Sequence, residues 1–594
     1  MRIAANVPAI SPSSPADHLT PPPSHSTAHY FLEGLTELGI DYVFSNLGTD
    51  HVSLIEELAR WDMEGREHPE MLLCPHENVA MHMAAGYAAI TGRGQAVMVH
   101  VDAGTANAAM GMHNMFRGRL PVMLIAGKAP FTLRGEMTGS RDNYVHFVQD
   151  PFDIASLVRP YVKWEYSLPS GVVAKEALRR GHSMMQTDPQ GPVYMTLPRE
   201  VLAEPVAPQH ARSFSAGKYG AVSAGGIDPA SALAIAEELM AAKAPIAITA
   251  YLGRKAEAVV ALEDLALLCG VRVFEFSPSF LSISRQSPCF GGFDAGKALA
   301  GADMGLLLDI DVPWLPTFTT ENSETRWTHI DVDTIKKDFP MWGFATDTRL
   351  QADCATVLKQ IAGVVRAKAD ATFHAKVAHR IAGWAPENQT RADAVALLAQ
   401  SKGRIGAISP AYLCAALGAA IAAEDIVINE AIRNSPAVLN QIPRSQPLTL
   451  LGGAGGGLGY SGGMALGAKL ASPGVRVVQI VGDGGFHFST PSSVYATAQR
   501  YQLPIFTVLL DNGGWQAVKE AVLRVYPDGA AAKADEFQAR LQGEQRHFEQ
   551  VAQAFGAHGE CVSHPDDVPA AIARCLKAVD AGQAAVLNVQ VGLQ

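Results

Sequence analysis

Val475-Arg-Val-Val-Gln-Ile-Val-Gly-Asp-Gly-Gly485 reads as a strand that empties into a glycine turn carrying one acid. The β-branched run is what a strand buried on both faces of a parallel sheet requires. Asp483 then falls at the strand's carboxyl end, where open α/β sheets bind ligands. Pro491 to Tyr501 reads as a helix and Pro504-Ile-Phe-Thr-Val-Leu-Leu510 as a second buried strand, so the following Asp511-Asn512 lies at a carboxyl end too. Adjacent parallel strands bring Asp483 and Asn512 to one sheet edge as oxygen donors for a hard cation such as Mg2+, which shares its shell with phosphates. Gly482, Gly484 and Gly485 leave backbone N–H groups to meet phosphate oxygens. The plainer alternative is two ordinary strand-to-helix turns.

The rest of the chain sets the frame. Its 594 residues are too many for one core, and about 150 residues per domain gives three or four. A net charge of -11 without a Lys/Arg block argues against nucleic acid or a membrane surface as partner. No apolar run reaches the length of a membrane span. Seven scattered cysteines form neither a disulfide framework nor a Cys-x-x-Cys pair, which favours a reducing, cytoplasmic setting. Residues 1 to 27, rich in Pro, Ser and Ala, read as a disordered tail. Strands and helices alternate through the blocks 28 to 205, 226 to 362 and 405 to 594, the pattern of doubly wound α/β layers. Glu200 to Gly226 reads as a linker, and a polar helical stretch from Ala362 to Gly406 marks the second boundary. The central block offers Pro245–Thr249, Arg272–Phe276, Met304–Leu308 and His329–Val332 as strands and no nucleotide motif.

With Gly-Asp-Gly and Asn512 in place, the third block resembles the metal and diphosphate motif of thiamine diphosphate (ThDP) enzymes. The first Asn of the family's Asn-Asn pair is replaced here by Asp511. The resemblance implies Asp483, Asn512 and the carbonyl of Gly514 as Mg2+ ligands. Gly457-Leu-Gly459-Tyr-Ser-Gly462 also fits a dinucleotide fingerprint, but the acid that fingerprint needs is Asp483, already claimed by the better pattern. In the ThDP family this run passes under the cofactor into a helix, Ala465 to Ala471. Gly457 and Leu458 are then cofactor contacts, Leu458 being the apolar prop for its bent form. Glu430 resembles a glutamate near the thiazolium, and Arg433 or Asn434 could reach the diphosphate.

Cys74-Pro-His-Glu-Asn-Val-Ala-Met-His-Met-Ala-Ala-Gly-Tyr87 resembles the pyrimidine-binding domain of the same family. As a helix it stacks Ala80, Met83, Ala84 and Tyr87 on one face and leaves Glu77 at the entry. A Glu there could merely serve the helix macrodipole. The resemblance makes it the catalytic acid that shares a proton with the aminopyrimidine, burial being the means of raising its affinity for that proton. It implies a C2 ylide as the working nucleophile, with the cofactor between the first domain of one subunit and the third of another, hence a homodimer at least and a homotetramer by expectation.

His100, in Val97-Met-Val-His-Val-Asp-Ala-Gly-Thr-Ala-Asn107, matches an active-site histidine of benzoylformate decarboxylases and is a second catalytic candidate able to relay protons near neutrality. Asn46-Leu-Gly-Thr49 resembles a loop of those enzymes whose serine contacts the substrate carboxylate, a part Thr49 could take. Their second histidine has no counterpart near Asp311 to Pro316, so aromatic 2-oxo acids are not implied. Glu520 to Arg546 reads as an insertion, a helical lid, and Trp515, Gln516, His113 and Gln149 as candidates for substrate choice. No Arg-Phe-Asp-Asp-Arg-like segment is present, so FAD is not expected. The resemblance implies a ThDP- and Mg2+-dependent C–C lyase or carboligase acting on a small 2-oxo acid, of acetolactate synthase or benzoylformate decarboxylase type. The alternatives are a 2-hydroxyacyl-CoA lyase, against which the short stretch after Ala585–Val589 counts, and an idle regulatory subunit, against which intact Glu77, Asp483 and Asn512 count.

Overall fold

The computed structural model describes residues 24–541 and 546–592. Three six-stranded parallel sheets, each flanked by helices, account for the α/β fold. The first contains β1 (Tyr42–Asn46), β2 (Glu70–Leu73), β3 (Gln95–Val99), β4 (Val122–Lys128), β5 (Glu165–Ser167) and β6 (Val193–Pro198), in the order β2-β1-β3-β4-β6-β5. The second contains β7 (Pro245–Thr249), β8 (Arg272–Glu275), β9 (Phe290–Gly292), β10 (Met304–Leu308), β11 (Arg326–Asp331) and β12 (Thr348–Gln351), in the doubly wound order β9-β8-β7-β10-β11-β12. The third contains β13 (Ile426–Glu430), β14 (Leu450–Gly452), β15 (Val477–Gly482), β16 (Phe506–Asp511), β17 (His558–Val562) and β18 (Ala585–Gln590), and its order, β14-β13-β15-β16-β18-β17, repeats that of the first. Central strands such as β3, β7 and β10 are buried at every position, which explains their unbroken apolar reading.

Two helices fix how the first and third sheets meet. Helix α1 (Glu77–Thr91) packs along α3 (Ser461–Ala471), while α2 (Val101–Gly118) follows β3 in the first domain. Glycines make the close approach possible. A Cβ on Gly86 would lie 2.1 Å from the Met464 carbonyl oxygen, and one on Gly467 would lie 2.0 Å from that of Met83. The single apolar face expected for α1 is therefore too narrow. Almost the whole helix is buried, because its second face is covered by the third domain.

The elements depart from expectation in four places. Residues 25 to 27, read as the end of a tail, join the fold: His25–Ser26 pairs with Pro205–Val206, and a helix starts at Thr27. Residues 1–23 of that tail lie outside the described residues. The same pairing and the helical turn Arg199–Ala203 place the start of the expected linker in regular structure. Helix α3 begins four residues before Ala465, since Ser461, Gly462 and Gly463 already take helical geometry against α1. The expected lid, Glu520 to Arg546, begins inside α5 (Gln516–Val525) and contains a short helix, Ala530–Ala534, neither with a buried residue, before buried Phe537 and Ala539, and its positions 542–545 lie outside the described residues. Among the described residues, no helix is long and apolar enough to cross a membrane.

Candidate functional site

Adjacent strands β15 and β16 end side by side, Gly482 opposite Leu510, and deliver Asp483 and Asp511-Asn512 to one sheet edge. Asp483 opens a short helix, α4 (Asp483–Phe488), and is 2% exposed. One carboxylate oxygen accepts the Gly484 N–H at 2.8 Å; the other accepts those of Gly513 and Gly514 at 2.8 and 2.9 Å. The Gly484 N–H expected to be free for a phosphate is therefore taken by its neighbour's side chain. Asn512 Oδ1 accepts the Gly514 N–H at 3.3 Å, which gathers the three expected metal ligands around one turn. Gly513 and Gly514 both have positive φ, and a Cβ on Gly514 would lie 2.0 Å from the Ala539 carbonyl oxygen, so this turn needs glycine. A Cβ on Gly482 would meet nothing within 4 Å, whereas one on Gly484 would strike the Trp515 indole at 2.6 Å.

Burial, with Asp511 alongside, pushes the Asp483 carboxyl up to about 7. Such a carboxylate lacks a countercharge, and a divalent cation held by hard oxygens supplies one, so the donor set fits Mg2+. Asp511 has its own partner: Arg546 Nε lies 2.9 Å from Oδ1 and 3.1 Å from Oδ2. Nothing in the sequence pattern announced that pair, since Arg546 belongs to the far end of the insertion.

The glycine-rich turn before α3 is held from both sides. Asn114 on α2 donates to the Gly457 carbonyl at 3.0 Å and accepts the Gly457 N–H at 3.1 Å. Asn78 on α1 donates to the Gly459 carbonyl at 3.1 Å, and His113 contacts the Gly455 carbonyl. Half-buried Leu458 stands between these clamps. Glu430, at the end of β13, is buried behind the turn, its carboxylate accepting the N–H groups of Gly459 and Ser461 and the Ser461 hydroxyl. Burial pushes its carboxyl up. Glu430 thus shapes the turn, and Gly485 sits against it: a Cβ there would be 3.2 Å from Oε1.

Glu77 is the first residue of α1, after the capping His76, and is 6% exposed. Asn46 Nδ2 donates to Oε1 at 3.1 Å and Asn107 Nδ2 to Oε2 at 3.0 Å, so both oxygens are aimed by fixed amides. Neither asparagine stood out by itself; each lies in a quoted motif but could have been assigned only with the strand-end loops in place. Gly104 leaves Glu77 room, a Cβ there lying 3.4 Å from Oε1.

The loop after β1 links this group to His100, the N-cap of α2. His100 Nδ1 lies 2.5 Å from Asp50 Oδ1 and Nε2 lies 2.7 Å from Gln149 Oε1. The Asp50 hydrogen bond pushes the imidazole pKa up. Thr49 Oγ1 is 3.1 Å from His146 Nε2. Burial, then Arg199, lowers the His146 pKa, and its Nδ1 lies 3.4 Å from the Asp142 N–H. Half-buried Trp515 stands over Gly484, and Arg433, Asn434, Asn512, Gln516 and Glu520 line a cavity of about 220 Å³ beside the metal-like turn.

Residues 25–157 match the family model described as thiamine pyrophosphate enzyme, N-terminal TPP binding domain, and residues 434–589 match the C-terminal TPP binding domain. This chain belongs to the thiamine diphosphate-dependent enzyme superfamily. Among its relatives are the acetolactate synthase isozyme 3 large subunit of Escherichia coli, 22% identical with 95% of each chain covered, and the benzoylformate decarboxylase of Pseudomonas aeruginosa, 24% identical with 83% of this chain and 87% of the other covered. A thiamine diphosphate-dependent 4-hydroxybenzoylformate decarboxylase from Rhodococcus jostii has the same fold, with a TM-score of 0.75 at 20% identity over 96% of this chain and 100% of the other. The first match takes in β1 to β4 of the first sheet and the second takes in β14 to β17 and most of β18 of the third; these two sheets share one strand order, and Glu77 and Asp483 fall one in each match.

Proposed function

We propose that the chain is a ThDP- and Mg2+-dependent C–C lyase or carboligase that decarboxylates a small 2-oxo acid. The observation that carries this reading is Glu77, a buried carboxylate with one asparagine amide on each oxygen, in the same chain as the Asp483–Asn512–Gly514 turn. Bound thiamine diphosphate would supply the carbon nucleophile and the electron sink for loss of CO2. Asp483, Asn512 and the Gly514 carbonyl would hold the cation against the diphosphate. Gly457 and Leu458 would support the cofactor's bend, with Glu430 fixing the turn and Gly482, Gly484 and Gly485 admitting the diphosphate. Glu77 would hold a proton at a carboxylate oxygen against the aminopyrimidine, and Asn46 and Asn107 keep that oxygen in line. His100 would move a proton to or from the substrate at Nε2. The Thr49 hydroxyl would donate to the substrate carboxylate, with Trp515 bounding the substrate's space. Assembly as a homodimer or homotetramer belongs to the same proposal and is read by sedimentation.

The test is a panel of 2-oxo acids with added ThDP and Mg2+, following CO2, aldehyde and acyloin. Glu77→Gln should lower turnover by about 10²- to 10⁴-fold, the range of a lost acid–base group. Unchanged turnover in that variant would sink the mechanism, and failure to retain ThDP would sink the cofactor assignment. The second reading, an acyl-CoA lyase, draws on a cavity of about 370 Å³ between the first and central sheets, lined by Phe116, Arg117, Lys163, Gln190, Lys337 and Phe339. Such cations and rings suit a phosphorylated ligand with a flat base. Adding 2-hydroxyacyl-CoA thioesters to the panel and finding their cleavage to formyl-CoA and an aldehyde would decide for it.

A further inference from the structure

The Asp50 carboxylate has no exposed surface, lying between the loop after β1 and the N-terminus of α2. Space for it has been cleared twice: a Cβ on Gly127 of β4 would fall 1.2 Å from Asp50 Oδ2, and one on Gly48 would fall 1.9 Å from His100 Nδ1. A buried carboxylate that stays ionised needs a cationic or hydrogen-bonding partner. The Val101 N–H, at 3.3 Å, is one donor. His51 Nδ1 lies 3.3 Å from Asp50 but accepts the Gly48 N–H at 3.2 Å, so a lone pair faces the acid there rather than a proton. His100 is left as the countercharge, and its other ring nitrogen faces Gln149 Oε1, an acceptor that also wants an N–H.

We propose that Asp50 is the positioning residue that keeps His100 doubly protonated and turns its Nε2–H toward the substrate, with Gln149 occupying that proton until the substrate displaces it. This rests on the assignment of His100 to proton transfer made above. In the step itself the Nε2–H bond breaks as the proton passes to the substrate's reacting oxygen or carbon. A neutral imidazole remains with its Nδ1–H on Asp50, and solvent returns the proton to Nε2. Burial would push Asp50 up, but the His100 bond, with His51 after it, holds it well below the usual carboxylate range. The other groups facing His100 are Asp102 on its own helix, His146 and Gln149, while His51 lies against Asp50. Asp102 reinforces the cation, and the His100 charge in turn lowers the His146 pKa.

The experiment compares wild type, Asp50→Asn and His100→Ala as ThDP- and Mg2+-loaded enzymes, on whichever 2-oxo acid the panel identifies. The readouts are the pH profile of kcat and the titration of the His100 imidazole by ¹⁵N NMR. In wild type the His100 midpoint should lie above the ordinary value of about 6.5. In Asp50→Asn it should fall by about one unit or more, and the limb that loses activity with rising pH should move down with it. At a pH between the two midpoints a one-unit fall should lower kcat by about three- to fivefold, the ratio of the protonated fractions, with KM changed less than about twofold. An unshifted titration and profile in Asp50→Asn overturns the proposal while leaving His100's own role standing. Should that variant fail to fold, a wild-type His100 midpoint at or below about 6.5 overturns it equally. Unchanged turnover in His100→Ala instead removes the proton-transfer assignment beneath it.

Discussion

Replacing Arg546 by Gln should tighten Mg2+ binding, and replacing Asp511 by Asn should weaken it. The reason is one shared amide. The Gly513 N–H lies 2.8 Å from Asp483 and 3.1 Å from Asp511, so the two carboxylates cannot be more than about 6 Å apart. At that distance and an effective dielectric of about 20, two like charges repel by roughly 3 kcal/mol. Arg546 cancels much of this: the Asp511 side chain is fully buried and the Arg546 side chain is 19% exposed, so solvent screens the pair only in part. Without Arg546, Asp511 adds its full charge to the cation site. With Asp511 neutralised, the cation site loses a nearby negative charge while the Arg546 guanidinium stays beside it. Allowing for partial screening, each single change should move the Mg2+ dissociation constant by about ten- to a hundredfold, in opposite directions, or roughly 1.4–2.8 kcal/mol. The double variant should return to within about threefold of wild type, because removing one charge of each sign makes the two opposite shifts cancel. Titration of Mg2+ at saturating ThDP, followed by tryptophan fluorescence, reads these constants without reference to turnover. Circular dichroism of the unloaded protein separates them from loss of fold. Shifts in the same direction, or single shifts below twofold, would refute the electrostatic reasoning.

Thr49→Val should raise KM for a 2-oxo acid by about tenfold or more, the worth of a hydrogen bond to a charged group, and change kcat less; steady-state kinetics on the substrate found by the panel reads the split. Asn107→Ala should leave the protein folded but lower kcat by about tenfold, because one Glu77 oxygen loses its 3.0 Å donor; restored activity in Asn107→Gln would argue for aim rather than bulk. Gly467→Ala drives a methyl to 2.0 Å from the Met83 carbonyl and should cost about 3 kcal/mol, seen as faster thermal inactivation, whereas Gly363→Ala, with nothing within 4 Å, should be neutral or stabilising by up to about 1 kcal/mol.

What could be read from the sequence follows from how local each signal is. Strands β15 and β16 are buried throughout apart from Gly482, so their apolar runs stand out and their carboxyl ends could be placed to within a residue or two. The expected placing of Asp483 and Asn512 at one sheet edge needed only that the two strands be neighbours, as they are. Helix α1 also announced itself, but as a helix with one apolar face; the glycine and alanine content that lets α3 lie against it was legible only as small residues. The start of α3 was misjudged for the same reason: Gly462 and Gly463 read as turn, while contact with α1 stabilises them as helix.

The functional groups divide along the same line. Glu77, Asp483 and Asn512 sit in motifs a few residues long, whereas the groups that aim them come from distant loops. Asn46 is 31 positions from Glu77, Asp50 is 50 from His100, and Arg546 is 35 from Asp511. Nothing in spacing or composition marks such a partner, since any Asn, Asp or Arg at a strand end could fill the place. The repeated strand order of the first and third sheets supplies the missing constraint. Both sheets put the end of their second strand in sheet order, Asn46 in one and Glu430 in the other, next to the loop leaving the third. In the first sheet that neighbouring loop carries His100, and in the third it carries Asp483. A polar residue at the end of the second strand therefore faces work on whatever its neighbour binds. Asn46 does so by donating to Glu77, and Glu430 by holding the Gly459–Ser461 turn. Asp50, four residues past the end of β1, extends the same strand-end loop to His100, which makes it the natural second residue to alter once Glu77 has been tested.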